Sequence, residues 1–350
     1  MLRAAVIGAG RMGRGHIGVY QQLEREGFGV KLVAICDVDE PKLHGEKAYA
    51  LNIGKSAGVA HNKHNYSTMY NCYTDAEEML RKEQLDVVNV VVPTYLHAEI
   101  SQKALRAGVN VLCEKPMALT PEQCEEMIAC AEQTGKRLMI GQCLHFWKEY
   151  EILAEKVKSG EYGKVNDAYF YRGGAQNVVT NPSWQQWILD RKLGGGGLFD
   201  QHIHDIDVIR WCFGTPKAVS TVGKTVYPKS AYDICTTRYF FDDADLYIHA
   251  RDNTCYKGSY GFQYGYTVNF EHCTMVFEHG QLTIMEEGKE PVLVEKPQES
   301  AYYYEIKYFL ENVVSGEPFS RNEPRDAQEN VRIALAEMAS ADRGGETVTL

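Results

Sequence analysis

At 350 residues the chain exceeds the usual size of a single hydrophobic core, so two domains are the prior expectation. Hydrophobic residues at 44% and charged residues at 24% are ordinary for a soluble globular protein. A net charge of −10 argues against a nucleic-acid backbone or an anionic membrane as partner, and no apolar run approaches the length of a membrane span. The ten cysteines are scattered, with no C-x-x-C pair. The N-terminus enters a strand directly, without the regions of a signal peptide. The expectation is a cytoplasmic protein with buried, reduced thiols.

The stretch Ala4–Ile7 reads as a buried parallel strand, followed by Gly8, Gly10 and Gly13 at G-x-G-x-x-G spacing. Gly8 permits a tight turn, Gly10 lets a pyrophosphate approach, and Gly13 lets the next helix pack closely. That helix, from about Arg11 to Glu26, would turn its first N–H groups, from Arg11 and Met12 onward, toward phosphates. A second strand, Lys31–Cys36, ends at Asp37, 24 residues past Gly13. This is close to where a carboxylate caps the adenosine ribose. Residues 41–60 carry a helix. A polar loop with His61 and His64 follows, read as solvated rather than as a metal site. Asp75–Lys82 is a helix, Leu85–Val92 a strand stopping at Pro93-Thr94, and His97–Ala107 a helix closed by Gly108. Asn110–Cys113 is a strand ending at Glu114-Lys115-Pro116. Thr120 caps the next helix, and Arg137–Gly141 is a further strand. The alternation predicts a doubly wound parallel sheet. Gly8–Gly13, Asp37, Pro93–His97 and Glu114–Pro116 all fall at the carboxyl ends of strands, where such sheets bind ligands.

After about residue 162 the pattern becomes period-two and aromatic-rich, which predicts an antiparallel sheet. One face of that sheet would be rich in Tyr, Phe and Val and would need cover. Inside it lies Gly194–Gly197, then Leu198–Asp207. The glycines would let backbone run close to a cofactor or substrate. A helix from Leu198 puts Asp200 and His204 at i and i+4 on one face and turns His202 elsewhere. Asp207 would hold His204 or cap a neighbouring backbone. An imidazole can take the hydroxyl proton as hydride leaves carbon, and Lys115 can polarise the same oxygen. A metal reading of His202, His204, Asp200, Asp205 and Asp207 is weaker, because H-x-H on a helix points two imidazoles apart. No metal is expected.

Together these residues resemble the glucose–fructose oxidoreductase / inositol dehydrogenase (Gfo/Idh/MocA) family. The resemblance runs through Gly8–Gly13, Asp37, Pro93-Thr94 with His97, Glu114-Lys115-Pro116, the glycine run with Asp200 and His204, and Glu305, Phe309 and Gly316. It implies an N-terminal Rossmann domain, residues 1–145, and a C-terminal α+β domain with an open, mainly antiparallel sheet, residues 146–350, with the alternative that the C-terminal helices pack back on the first domain. It also implies Lys115, Asp200 and His204 as a catalytic trio, with Glu114, Pro93, Thr94 and His97 beside the cofactor. Two positions depart from the family pattern: His202 stands where D-x-G-x-H has glycine, and His145 where an arginine often follows the strand at 137–141. Residues expected near substrate are His145, Arg172, Trp184, Trp187, Tyr264, Asp200 and His204.

The function expected is transfer of a hydride between a secondary alcohol of a sugar, sugar derivative or cyclitol and NAD. NADP is disfavoured because Asp37-Val38-Asp39 offers no arginine for a 2′-phosphate. Partners would be a sugar or polyol and further copies of the chain, as homodimer or homotetramer, with no nucleic acid or membrane. Two rivals are an NAD-dependent glycosidase working by oxidation and elimination, and a non-catalytic NAD(H)-binding regulator.

Overall fold

The computed structural model describes residues 1–45, 65–174 and 185–350. These form two compact units. One ends at Cys143 and takes in Glu299–Gln328; the other comprises Leu144–Gln298 and Glu329–Leu350.

The first unit alternates strands and helices: β1 (Leu2–Ile7), α1 (Arg11–Arg25), β2 (Val30–Cys36), α2 (Glu40–Leu43), β3 (Asn71–Tyr73), α3 (Ala76–Lys82), β4 (Val87–Val90), α4 (His97–Arg106), β5 (Asn110–Glu114), α5 (Pro121–Thr134) and β6 (Leu138–Gly141). All neighbouring strands are parallel, in the order β3-β2-β1-β4-β5-β6. The switch in winding therefore lies between β1 and β4. Covered on both faces, the central strands are apolar runs and not alternating ones, as in β4 and β6, where every residue is buried. Helix starts follow local chemistry. Asp75 accepts from the Glu78 N–H at α3, and Thr120 from Gln123 N–H at α5, where Pro121 takes the first helical position. β3 was not expected: three residues at the sheet edge carry no alternation to read. Of the helix expected over 41–60, the described part is α2, which starts at Glu40; His61 and His64 lie outside the described residues.

Helix α9 (Ala301–Ser315) belongs to this unit, and its spacing explains why. Tyr303, Ile306, Phe309 and Leu310 form one apolar stripe that joins Ile17, Tyr20, Leu23 and Leu32 in a single core. Asn322, at φ 58°, then donates from its side-chain nitrogen to the Ile140 carbonyl at 3.0 Å and to Glu305 at 3.2 Å. Asparagine suits that left-handed conformation.

The second unit holds α6 (Lys148–Ser159), β7 (Val165–Gly174), α7 (Gln185–Ile188), α8 (Ile203–Phe213), β8 (Ala218–Lys224), β9 (Ile234–Phe240), β10 (Tyr247–Asn253), β11 (Phe262–Phe270), β12 (Cys273–Glu278), β13 (Gln281–Glu286), β14 (Val292–Leu293), most of α10 (Pro324–Asp342) and β15 (Val348–Thr349). The nine strands run in the order β14-β13-β12-β11-β7-β10-β9-β8-β15. Every pairing is antiparallel except β7 with β10. Alternation sorts the two faces. Phe170, Ile248, Ala250, Tyr239, Tyr266 and Phe277 are buried on one. The other face differs from expectation: it carries Tyr169, Tyr171 and Tyr247 mixed with His249, Arg251 and Arg238, while Phe170, Phe270 and Phe277 turn inward. Tyr169 stacks on His249 at 4.8 Å, and Arg238 lies 4.5 Å from the Tyr247 ring centre. No helix among the described residues is long and apolar enough to cross a membrane.

The glycine turn is held by close approach. A Cβ on Gly13 would stand 1.7 Å from the Gly8 carbonyl oxygen, and one on Gly8, at φ +101°, 2.1 Å from the Val91 oxygen. Gly18, on the same helix α1, has nothing within 4 Å of its Cβ position. Gly13→Ala should destabilise by about 1–3 kcal/mol or more through overpacking. Gly18→Ala should stabilise by about 0.5–1 kcal/mol. Urea unfolding of the three proteins checks both signs.

Candidate active site

The first unit carries the turn after β1. Gly10 precedes α1 and, unlike Gly8 and Gly13, its Cβ position meets no protein atom within 4 Å. The first N–H groups of α1, which a helix leaves without internal carbonyls, begin there with Arg11 and Met12. Asp37 ends β2, is 6% exposed, and accepts from the Ala9 N–H at 2.8 Å and the Asp39 N–H at 2.9 Å. A residue that sequence reasoning missed also faces it. Lys42 on α2 reaches both Asp37 oxygens, at 3.0 and 3.1 Å. The cradle fits a dinucleotide: a Gly10 whose Cβ position is clear of protein, a helix N-terminus, and a fixed carboxylate one strand over.

Pro93 and Thr94 follow β4, with Thr94 buried. His97 opens α4, fully buried, with its ring nitrogens 2.7 Å from the Pro116 carbonyl and 2.8 Å from that of Val92. Burial lowers its pKa below the usual imidazole value. His97 thus ties the end of β4 to the segment after β5.

At the end of β5, Glu114 terminates a buried chain of hydrogen bonds that all run one way. Tyr20 O–H donates to Asn89 Oδ1 at 2.7 Å; Asn89 Nδ2 donates to His16 Nδ1 at 2.8 Å; His16 Nε2 donates to Glu114 Oε1 at 3.0 Å. The other Glu114 oxygen accepts from the Lys115 N–H at 3.1 Å. Burial opposes ionisation of Glu114, but the His16 hydrogen bond and the neighbouring charges outweigh it and hold the pKa below the usual carboxylate value. Lys115 itself is half-buried. Sequence reasoning missed His16, Asn89 and Tyr20; the one available signal was Asn89, a polar side chain inside an otherwise apolar strand.

The second unit carries the segment 194–213. The glycine run is close-packed, but against protein: added Cβ atoms would meet Trp187 O at 2.5 Å from Gly194, Phe199 Cβ at 2.3 Å from Gly195, and Thr254 Cγ2 at 2.8 Å from Gly197. Leu198–His202 is a π-helical turn, and α8 proper starts at Ile203. Asp200 and His204 are half-buried, whereas His202, Ile203, Asp205, Ile206 and Asp207 are buried. Asp207 does not hold His204. Its oxygens meet His145 Nε2 at 3.0 Å and Asn330 Nδ2 at 2.7 Å.

The remaining residues expected near substrate are distributed unevenly. His145 is 2% exposed and stacks on Trp211 at 4.1 Å. Arg172 is locked to Asp205 at 3.1 Å and lines a cavity of about 280 Å³ with Tyr169, Tyr171, Arg251, Tyr256 and Tyr260. Tyr264 packs edge-on to Trp147 at 5.2 Å, and Trp187 is half-buried in α7. Trp184 lies outside the described residues. Among the described residues no cluster of three His, Cys, Asp or Glu could hold a metal ion.

Comparison with known proteins bears on the family and the fold. Residues 2–142 match the oxidoreductase family with an NAD-binding Rossmann fold, and residues 150–282 match the GFO/IDH/MocA C-terminal domain. Inositol 2-dehydrogenase of Salmonella typhimurium is 26% identical over 283 residues, 80% of this chain and 72% of that protein. The 2,7-anhydro-N-acetylneuraminate hydratase of Mediterraneibacter gnavus is 32% identical over 154 residues, spanning 44% of this chain and 40% of that protein. Levoglucosan dehydrogenase, solved in complex with NADH and levoglucosan, shares the fold at TM-score 0.82 and 18% identity, covering 99% of both chains. The chain belongs to the Gfo/Idh/MocA family of oxidoreductases, and its first unit is an NAD-binding Rossmann domain.

Proposed function

We propose that the chain is an NAD-dependent dehydrogenase acting on a secondary alcohol of a sugar, sugar derivative or cyclitol. The observation that carries this reading is the selective exposure in segment 200–207: Asp200 and His204 are half-buried while the residues flanking His204 are buried. A buried core helix has no need of two such polar side chains on its open side. When bound, NAD supplies the hydride acceptor. His204 takes the hydroxyl proton, Lys115 polarises the oxygen, and Asp200 orients the hydroxyl or the imidazole. Gly8, Gly10, Arg11, Met12, Gly13 and Asp37 hold the pyrophosphate and adenosine ribose. Pro93, Thr94, His97 and Glu114 shape the nicotinamide side.

Residues 146–350, apart from Glu299–Gln328, which fold with the first unit, serve as the substrate and assembly domain in this reading. His145, Arg172, Trp184, Trp187 and Tyr264 are the proposed substrate-side residues, with His145 and Arg172 acting through Asp207 and Asp205. The open sheet face, where Tyr247 is 43% exposed and Val222 57%, supports self-association as a homodimer or homotetramer. All ten cysteines are free, which supports a reducing compartment such as the cytoplasm. A second reading, oxidation followed by elimination, draws support from the hydratase relative. It would release product without net NADH.

Four measurements test these points. A panel of polyols and sugars, read by NADH formation and product NMR, should give net NADH; product release with none would favour elimination. On the best substrate, His204→Ala and Lys115→Ala should each lower kcat by about 10²–10⁴-fold. NADH affinity should change little in both, and near-normal turnover in either removes that residue from the mechanism. Gly10→Ala should abolish tight NADH binding while leaving stability nearly intact. NADH should bind at least about tenfold, or 1.4 kcal/mol, tighter than NADPH in a fluorescence titration. Asp37→Ala should narrow that gap and Lys42→Ala widen it.

A further inference from the structure

His202 occupies the middle of the D-x-x-x-H stretch and is fully buried. It is the last residue of the π-helical turn that carries Asp200 and the residue from which α8, with His204, begins. Its Nε2 lies 3.2 Å from Glu337 Oε2 on α10 and 3.1 Å from the Tyr239 hydroxyl on β9. Its Nδ1 lies 3.9 Å from Asp205 Oδ2, and Asp205 is in turn paired with Arg172 on β7 at 3.1 Å. Glu337, Asp205 and Tyr239 are all buried. Two opposite charges withdrawn from water hold each other firmly, because losing either leaves the other stranded.

The turn is therefore gripped at both ends. At its entry, the glycine run packs against Trp187, Phe199 and Thr254 so closely that no side chain fits. At its exit, one imidazole ties it to α10 and β9. π-helical turns are rare and need outside support, and the chain supplies it with a residue that itself faces no solvent.

We propose that His202, Glu337 and Tyr239 are positioning residues, whose buried contact fixes the turn bearing Asp200 and the first turn of α8 bearing His204 in reactive geometry. This rests on the reading of Asp200 and His204 as catalytic. The charge state is compatible with it. Burial works against a cation at His202, but Glu337, then Asp205 and Asp252, raise its pKa to about 9. The groups around it are Glu337 from α10, Tyr239 and Cys235 from β9, Asp205 from α8, Asp252 from β10 and Arg172 from β7. Burial pushes the Tyr239, Cys235 and Asp252 pKa values well above their ordinary values. Because the His202 pKa is raised above its unfolded value, the stabilisation is complete below about pH 6.5 and is lost as pH rises through about 9.

The test uses full-length His202→Gln, Glu337→Gln, the double variant and His204→Ala, assayed on the best panel substrate at a temperature where circular dichroism shows all of them folded. A displaced catalytic helix should lower kcat by about 10- to 100-fold in each clamp variant. KM and NADH affinity should stay within about threefold, and the double variant should be no worse than the poorer single one. The His204 ring resonances should shift in the NMR spectrum of both clamp variants without substrate. The Tm gap between wild type and His202→Gln should shrink from about pH 7 to about pH 10. Should His202→Gln fail to fold, Glu337→Gln, which keeps the volume and the imidazole, decides alone. Unchanged kcat with an unshifted His204 resonance in folded variants overturns the proposal and leaves a merely structural ion pair. Full turnover in His204→Ala overturns the catalytic reading as well. Loss in His204→Ala alone overturns only the clamp.

Discussion

The approach of the Gly13 α-carbon to the Gly8 carbonyl is the constraint on which the first unit turns. No other residue type permits it, and it lets α1 leave the end of β1 at once. The helix N-terminus then lies at the switch between β1 and β4, with Asp37 one strand away. The cofactor cradle is thus mostly backbone, and one side chain, Asp37, is spent on keeping its rim in place. Helix α9 closes the far side of the same core, so a segment almost 300 residues away in sequence completes the unit that begins the chain.

The second unit solves a different problem. A nine-stranded open sheet has one face to bury, and α8 is among the elements that cover it. The covering layer is polar as well as apolar: Arg172, Asp205, His202 and Glu337 form a chain of buried charges in which every cation has a carboxylate within 3.2 Å. Such pairs add less to stability than a well-packed apolar core would, and they specify register. Here the register concerns which side chains of segment 198–207 remain accessible.

Much of this was legible in the sequence because the decisive signals are local. The G-x-G-x-x-G turn, the apolar strands β1, β2, β4 and β5, and the caps at Asp75 and Thr120 each follow from residues within a few positions of one another. So does the change to period-two alternation after residue 162. Strand β3 was missed because three edge residues make no pattern. The π-turn before Ile203 was missed because nothing in Leu198–His202 distinguishes it from an α-turn; tertiary grip decides it. The partners of the site residues were the least readable. Lys42 on Asp37, His16 on Glu114 and Asp207 on His145 are separated by 5, 98 and 62 residues, and only folding introduces them.

The hydrogen-bond chain from Tyr20 through Asn89 and His16 to Glu114 has an electrical consequence. Its middle link is an amide, which neither gains nor loses a proton near neutral pH. The chain can therefore orient Glu114 but cannot relay a proton to it from Tyr20. It works as an insulator between Tyr20 and the carboxylate, while the His16 hydrogen bond at the near end favours the charged form of Glu114.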